Sequence, residues 1–233
     1  MFLPTTLKEV KQLNWDRLDI ILVTGDAYID SPFMGIAIIG KVLVDKGFRV
    51  GIIAQPDMNT NKDISRLGEP SLFWGISGGC VDSMVANYTA LKKRRKKDDY
   101  TPGGINNQRP DRAVIAYSNL IRRFFKKTKP LVLGGIEASL RRIAHYDFWS
   151  NKIRRSVLFD AKADYLLFGM AHTTIVNFAT AIKDNKDPGD LKGIAYISKK
   201  KKGKELPSFE TVQKDKKAYI KSFHLFYENN DPI

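Results

Sequence analysis

The stretch Asp19-Ile20-Ile21-Leu22-Val23-Thr24-Gly25 decides the fold class: an unbroken apolar run, entered from a charge and left through a glycine. It is too short for a buried helix and lacks the alternation of a half-exposed strand. It therefore predicts a strand covered on both faces. Working outward, residues 35–46 read as a helix that stops at Gly47, and residues 48–54 read as a second strand closed by Gln55-Pro56. Strand, helix, strand is the unit that places two parallel strands side by side.

The rhythm then repeats. Residues 72–77 predict a third strand that leads through Gly78-Gly79 into a helix near Cys80. Residues 111–127 predict a helix, 130–133 a strand, 137–144 a helix, 164–168 a fifth strand and 172–183 a helix. The expected fold is a three-layer α/β/α arrangement around a doubly wound, mostly parallel sheet of about five strands.

Two segments depart from the pattern. Lys92-Lys93-Arg94-Arg95-Lys96-Lys97, Asp98-Asp99 and Thr101-Pro102-Gly103-Gly104 mark residues 92–110 as a charged insertion expected to run as an exposed loop. Lys199-Lys200-Lys201-Lys202-Gly203-Lys204 marks a second boundary. The expected organisation is an α/β domain over residues 1–198, followed by a basic linker and amphipathic helix over 199–233. In that tail Val212, Tyr219, Ile220, Phe223, Phe226 and Tyr227 recur at helical spacing and require a surface, either the sheet or a domain outside this chain.

Composition bounds the function. The chain has 233 residues, 39 Lys+Arg against 25 Asp+Glu, a net charge of +14 and 43% apolar residues, enough for a globular core. A single cysteine, Cys80, excludes an internal disulfide framework and a Cys-only metal or iron–sulfur site. No apolar run approaches the ~18 residues of a membrane span, and the N-terminus has no leader pattern, so a cytoplasmic location is expected.

Ligands of open parallel sheets bind beyond the carboxyl ends of the strands. The loops expected there share glycines: Gly25 to Gly35, Ser77-Gly78-Gly79-Cys80, Gly134-Gly135-Ile136-Glu137 and Gly169-Met170-Ala171-His172. Asp30, Gly35, Ser77, Gly78, Gly134 and Gly135 are the expected ligand contacts, since glycine permits close backbone approach. Asp26 and Asp30 either orient a ligand hydroxyl or act as turn acceptors. Glu137, Arg141 and His145, at i, i+4 and i+8, predict one helix face that either positions an anionic substrate or forms a salt bridge with a neighbouring imidazole. Cys80 at a helix start is either activated by the dipole or a buried structural thiol. His145, His172 and His224 are too scattered for zinc. The runs at 92–97 and 199–204, with Arg122-Arg123, Arg141-Arg142, Arg154-Arg155 and the stacking candidates Tyr100 and Tyr117, admit contact with RNA.

Three strings carry a resemblance. Residues 19–35 with Gly47-Phe48-Arg49-Val50-Gly51-Ile52-Ile53-Ala54-Gln55-Pro56, then Arg109-Pro110-Asp111-Arg112, then Leu133-Gly134-Gly135-Ile136-Glu137-Ala138-Ser139-Leu140-Arg141-Arg142-Ile143-Ala144-His145-Tyr146-Asp147-Phe148-Trp149, closely resemble the N-terminal region of the YgiQ family of radical SAM proteins. The loop pattern is more distantly similar to the cobalamin-binding-type domain that precedes many radical SAM barrels. The resemblance implies a flavodoxin-like, Rossmann-like domain. For the full-length family it implies a 4Fe-4S cluster on a CxxxCxxC motif with S-adenosylmethionine. This chain lacks that motif, so the implied partner is a catalytic domain in cis or in a separate chain. The cobalamin motif DxHxxG is matched only by Asp30-Ser31-Pro32-Phe33-Met34-Gly35, with Pro32 where the cobalt-ligating His would stand. The expected role is therefore an accessory module that shapes a cleft and docks on the catalytic domain. The alternative is a free-standing module for a nucleotide-like molecule, another anionic small molecule or RNA.

Overall fold

The structure, a computed structural model, describes residues 2–201 and 203–229. Lys202 and the closing residues 230–233 lie outside them. The chain opens with α1 (Leu7–Gln12), held by a capping box in which Glu9 accepts from the Thr6 amide at 3.0 Å. Then follow β1 (Ile20–Thr24), α2 (Gly35–Asp45), β2 (Val50–Ala54), β3 (Phe73–Ser77) and α3 (Ser83–Asn87). After the insertion come α4 (Ala113–Phe124), β4 (Leu131–Gly134), α5 (Gly135–Leu140), β5 (His145–Asp147), β6 (Lys152–Arg154), α6 (Val157–Ala161), β7 (Tyr165–Leu167) and α7 (His172–Lys183). β8 (Ile194–Tyr196), α8 (Phe209–Lys214) and α9 (Lys216–Glu228) close the chain.

The main sheet runs β2-β1-β3-β4-β7-β8, parallel through β7, with β8 added antiparallel at the edge. This is the flavodoxin-like order, and it reverses direction between β1 and β3. The five expected parallel strands are all present. β8 and the β5–β6 hairpin are additions that the sequence pattern does not show.

Strand residues alternate between two cores. Ile21, Val23, Trp74, Ile76, Leu131, Leu133 and Leu166 join the layer of α4 and α6, while Ile20, Leu22, Phe73, Val132 and Leu167 join that of α2 and α7. Each fully covered Ile or Leu contributes about 2 kcal/mol from desolvation, which is why the β1 run admits no polar residue before Thr24. At the amino end of β1, Asp19 accepts from the Arg49 amide, Nε and Nη2 at 2.9, 3.0 and 2.7 Å, tying β1 to the entry of β2.

Several elements differ from the expectations. The helix after β4 ends at Leu140, not near 144, because Arg141 turns its side chain to Asp82 and to the Glu137 carbonyl. Residues 145–154 form a hairpin that turns at Asn151, with φ +51°, over Asp147, which holds Arg112 at 2.7 Å. The helix expected near Cys80 begins only at Ser83, capped by Asp82. The single C-terminal helix is two, broken at Asp215, whose side chain accepts from the Lys217 amide at 2.8 Å.

The insertion at 92–110 exposes the cations of its run at 92–97 as expected, yet it is no free loop. Tyr88 bridges to Arg94 and Lys97 to Ile105, and Asp98, Thr101, Asn106 and Arg109 are buried. No helix of the described residues is long and apolar enough to cross a membrane.

Candidate functional site

At the reversal between β1 and β3 the carboxyl-end loops diverge and leave a cavity of about 500 Å³. Its floor is Leu22, Gly75 and Val132 of the sheet, and its roof is Ile36, Ile39 and Ile175 of α2 and α7. Phe33 and Met170, on two loops, and Ile136, in the first turn of α5, stand at its mouth, with Phe33 90% and Met170 89% exposed. Polar groups are few: Thr24, Asp26, Ser77, Cys80 and His172.

Gly35, Ser77, Gly134 and Gly135, four of the expected contacts, line this cavity. Gly134 has extended backbone (φ −153°), and a Cβ there would meet nothing nearer than the Leu167 carbonyl at 4.0 Å. The fold therefore does not require glycine at 134, whereas Gly135, at φ +78°, needs the left-handed region. Ser77 Oγ accepts from the Gly79 amide at 3.1 Å. Asp30 does not line the cavity and pairs with Lys41 at 2.6 Å. Gly78 turns its carbonyl to Arg109 Nη1 at 2.7 Å.

Glu137, Arg141 and His145 do come together, though not on one helix face. Glu137 lies in α5, Arg141 caps it and His145 begins β5. Glu137 is buried and accepts from the Ser83 amide at 2.9 Å and the Val114 amide at 3.1 Å, joining the starts of α3 and α4 to α5. Burial, seconded by Asp82, raises its carboxyl above the ordinary range. Arg141 pairs with Asp82 rather than with the Glu137 carboxylate. Burial lowers the His145 imidazole, whose Nδ1 lies 3.1 Å from the Ile143 carbonyl.

Cys80 is half-buried in the cavity wall, three residues before the start of α3. Burial and then Asp26 raise its thiol, and Met34 Sδ lies 3.5 Å away. Several of the basic and aromatic side chains considered for RNA are engaged in the fold. Arg94 pairs with Asp111 at 3.6 Å, Lys92 lies over Phe148 at 4.7 Å and Tyr117 is fully buried.

Sequence reasoning missed the buried ion cluster beside the cavity. Arg109 Nη1 lies 2.6 Å from Asp26 Oδ1, and its Nη2 lies 3.2 Å from Asp98 Oδ2. An arginine in a charged, proline-punctuated segment carries no local sign of burial. Only the two carboxylates brought from distant positions reveal it.

A flavodoxin-like order with an apolar crevice at its reversal defines an α/β domain whose cavity lies where open parallel sheets bind their ligands. The chain belongs to the radical SAM N-terminal family, whose model matches residues 2–233. It is 56% identical over 235 residues to a UPF0313 protein of Fusobacterium nucleatum, covering all of this chain and 41% of that protein. It is 54% identical to a UPF0313 protein of Thermotoga maritima, again over the whole chain and 42% of the relative. The chain thus spans about two fifths of the curated relatives it matches. Among solved structures it is similar to TsrM of Kitasatospora setae, a radical S-adenosylmethionine methyltransferase, with a TM-score of 0.51 and 17% identity over 78% of this chain and 29% of TsrM. One TsrM structure contains tryptophan substrate and a SAM analogue, and another contains cobalamin and a [4Fe-4S] cluster. At this identity the likeness concerns the fold.

The residues present here cannot ligate the cluster by themselves, and they offer cobalt no imidazole at position 32, so cobalamin would have to be held without that ligand. One cysteine cannot supply the three thiolates of such a cluster, and position 32 is proline, without an imidazole for cobalt. Among the described residues no three His, Cys, Asp or Glu side chains are grouped to hold a metal ion.

Proposed function

We propose that this chain is the accessory N-terminal domain of a radical SAM protein, contributing a cleft and a docking face while the remaining polypeptide carries the cluster and S-adenosylmethionine. The observation that carries this reading is the apolar mouth formed by Phe33, Ile136 and Met170 in a family whose curated relatives have more than half their length outside the matched region. A second apolar face supports it. Ile220, Phe223 and Tyr227 of α9 are 54, 57 and 71% exposed, with the rings of Phe223 and Tyr227 stacked at 6.1 Å. Cobalamin, which one TsrM structure contains, would find no cobalt ligand at residue 32.

Hydrogen exchange tests the proposal. Amides of residues 31–36, 135–137, 169–172 and 219–228 are expected to exchange more slowly in the full-length protein than in this chain alone. Equal exchange at both surfaces would overturn the docking role.

A further inference from the structure

Arg109 lies in a segment that reads as solvated, yet its side chain is wholly buried. Its guanidinium threads between the loops that follow β1 and β3. Nη1 meets Asp26 Oδ1 at 2.6 Å and donates to the Gly78 carbonyl at 2.7 Å, while Nη2 faces both oxygens of Asp98 at 3.2 and 3.3 Å. The backbone is cleared for it. A Cβ on Gly79, at φ +112°, would overlap Asp26 and crowd Nη1, and a Cβ on Gly25 would run into the Gly78 carbonyl and come within 3.1 Å of Nη1. Gln55 completes the brace, donating to the Gly25 carbonyl at 2.9 Å and to Thr101 Oγ1 at 2.7 Å. The second oxygen of Asp26 accepts from the Cys80 amide at 2.6 Å, and both Asp26 and Cys80 face the cavity.

We propose that Arg109 sets the charge of the cavity: its single positive charge, shared between Asp26 and Asp98, offsets the Asp26 carboxylate in the wall, so that the site draws a cation far less than the bare carboxylate would. The inference rests on reading this cavity as the domain's binding site. An uncompensated carboxylate in a low-dielectric wall would draw positive charge into the crevice. Asp98 does not line the cavity but shares the same guanidinium, so it tunes how completely Asp26 is compensated. Arg109 is thus a positioning residue, and its influence is electrostatic as well as mechanical.

Cys80, the sole thiol of the 233-residue chain, reports that charge. Its rates of reaction with a trimethylammonium-bearing and a sulfonate-bearing methanethiosulfonate are measured on the chain, and their ratio cancels changes in access. Arg109→Met is expected to raise the cationic-to-anionic ratio about tenfold, and Asp98→Asn to lower it about threefold. Arg109→Lys keeps the charge and is expected to stay within about threefold of the parent ratio. A parallel rise in both rates, with the ratio unchanged in Arg109→Met, would reduce Arg109 to a structural brace and overturn the proposal. Should Arg109→Met fail to fold, Asp98→Asn decides alone, and an unchanged ratio there refutes it. The hydrogen-exchange test of docking fails or succeeds independently of this ratio.

Discussion

Replacing Glu137 with alanine tests how the fold holds three helix starts together beneath the cleft. The carboxylate satisfies two buried backbone donors, Ser83 N at 2.9 Å and Val114 N at 3.1 Å, at the first turns of α3 and α4. Each buried N–H left without a partner costs about 1–3 kcal/mol, so Glu137→Ala is expected to lose about 3 kcal/mol once the relief of a buried, raised carboxyl is set against it. For a domain of this length that corresponds to a Tm lower by about 6–12 °C. Glu137→Gln keeps one acceptor and is expected to fall between. The pH dependence has a definite sign. Because burial raises the folded carboxyl above 4.5, its contribution is complete below the unfolded value and is lost as pH rises through the folded one. The advantage of the parent over Glu137→Gln should therefore shrink from pH 4 towards pH 7. Urea unfolding of the three proteins at both pH values measures this. A loss below about 1 kcal/mol for Glu137→Ala would refute the assignment of the two amides to this carboxylate.

Three further outcomes are expected. Gly79→Ala places a Cβ against Asp26 and Arg109 at φ +112° and should cost about 2–4 kcal/mol, read from the urea midpoint. Gly134→Leu has extended backbone and open space, so its unfolding free energy should shift by less than about 1 kcal/mol while an environment-sensitive apolar dye loses most of its binding, measured by fluorescence titration. Burial works to raise the Asp19 carboxyl, but the Arg49 bonds outweigh it and hold it below 3.8. Its stabilisation is therefore present above that value and lost as pH falls through the folded one. Asp19→Asn should cost about 1–2 kcal/mol at pH 7 and little near pH 2, as thermal melts will show.

The parallel sheet was legible because each strand is buried on both faces, and burial on both faces leaves a continuous apolar run such as Ile20 to Val23. The start and stop of α7 were legible in full, and Gly47 marked the end of α2. The hairpin at 145–154 was not, because its strands have three residues each and it is held by Asp147, whose partners Arg112 and Arg154 come from outside its own strand. Helical spacing also misplaced Arg141 and His145. The spacing continues past Leu140, but the backbone leaves the helix where Arg141 finds Asp82, a residue distant in sequence. Four of the six expected ligand contacts line one cavity because Ser77, Gly134 and Gly135 sit at strand ends and Gly35 opens α2, positions the pattern does report. The burial of Arg109, by contrast, depends wholly on tertiary partners.

Arg142 lies between two rings, 4.7 Å from the centre of Phe168 and 4.4 Å from that of Phe226. Phe226 belongs to the apolar C-terminal helix, and Phe168 immediately precedes Gly169 and Met170 at the lip of the cavity. The two outward-facing surfaces of this domain are therefore not separate fittings. One cation and two aromatic planes thus join α9 to the rim of the crevice. To move that helix away, the Arg142–Phe226 contact would have to break or Arg142 would have to leave Phe168.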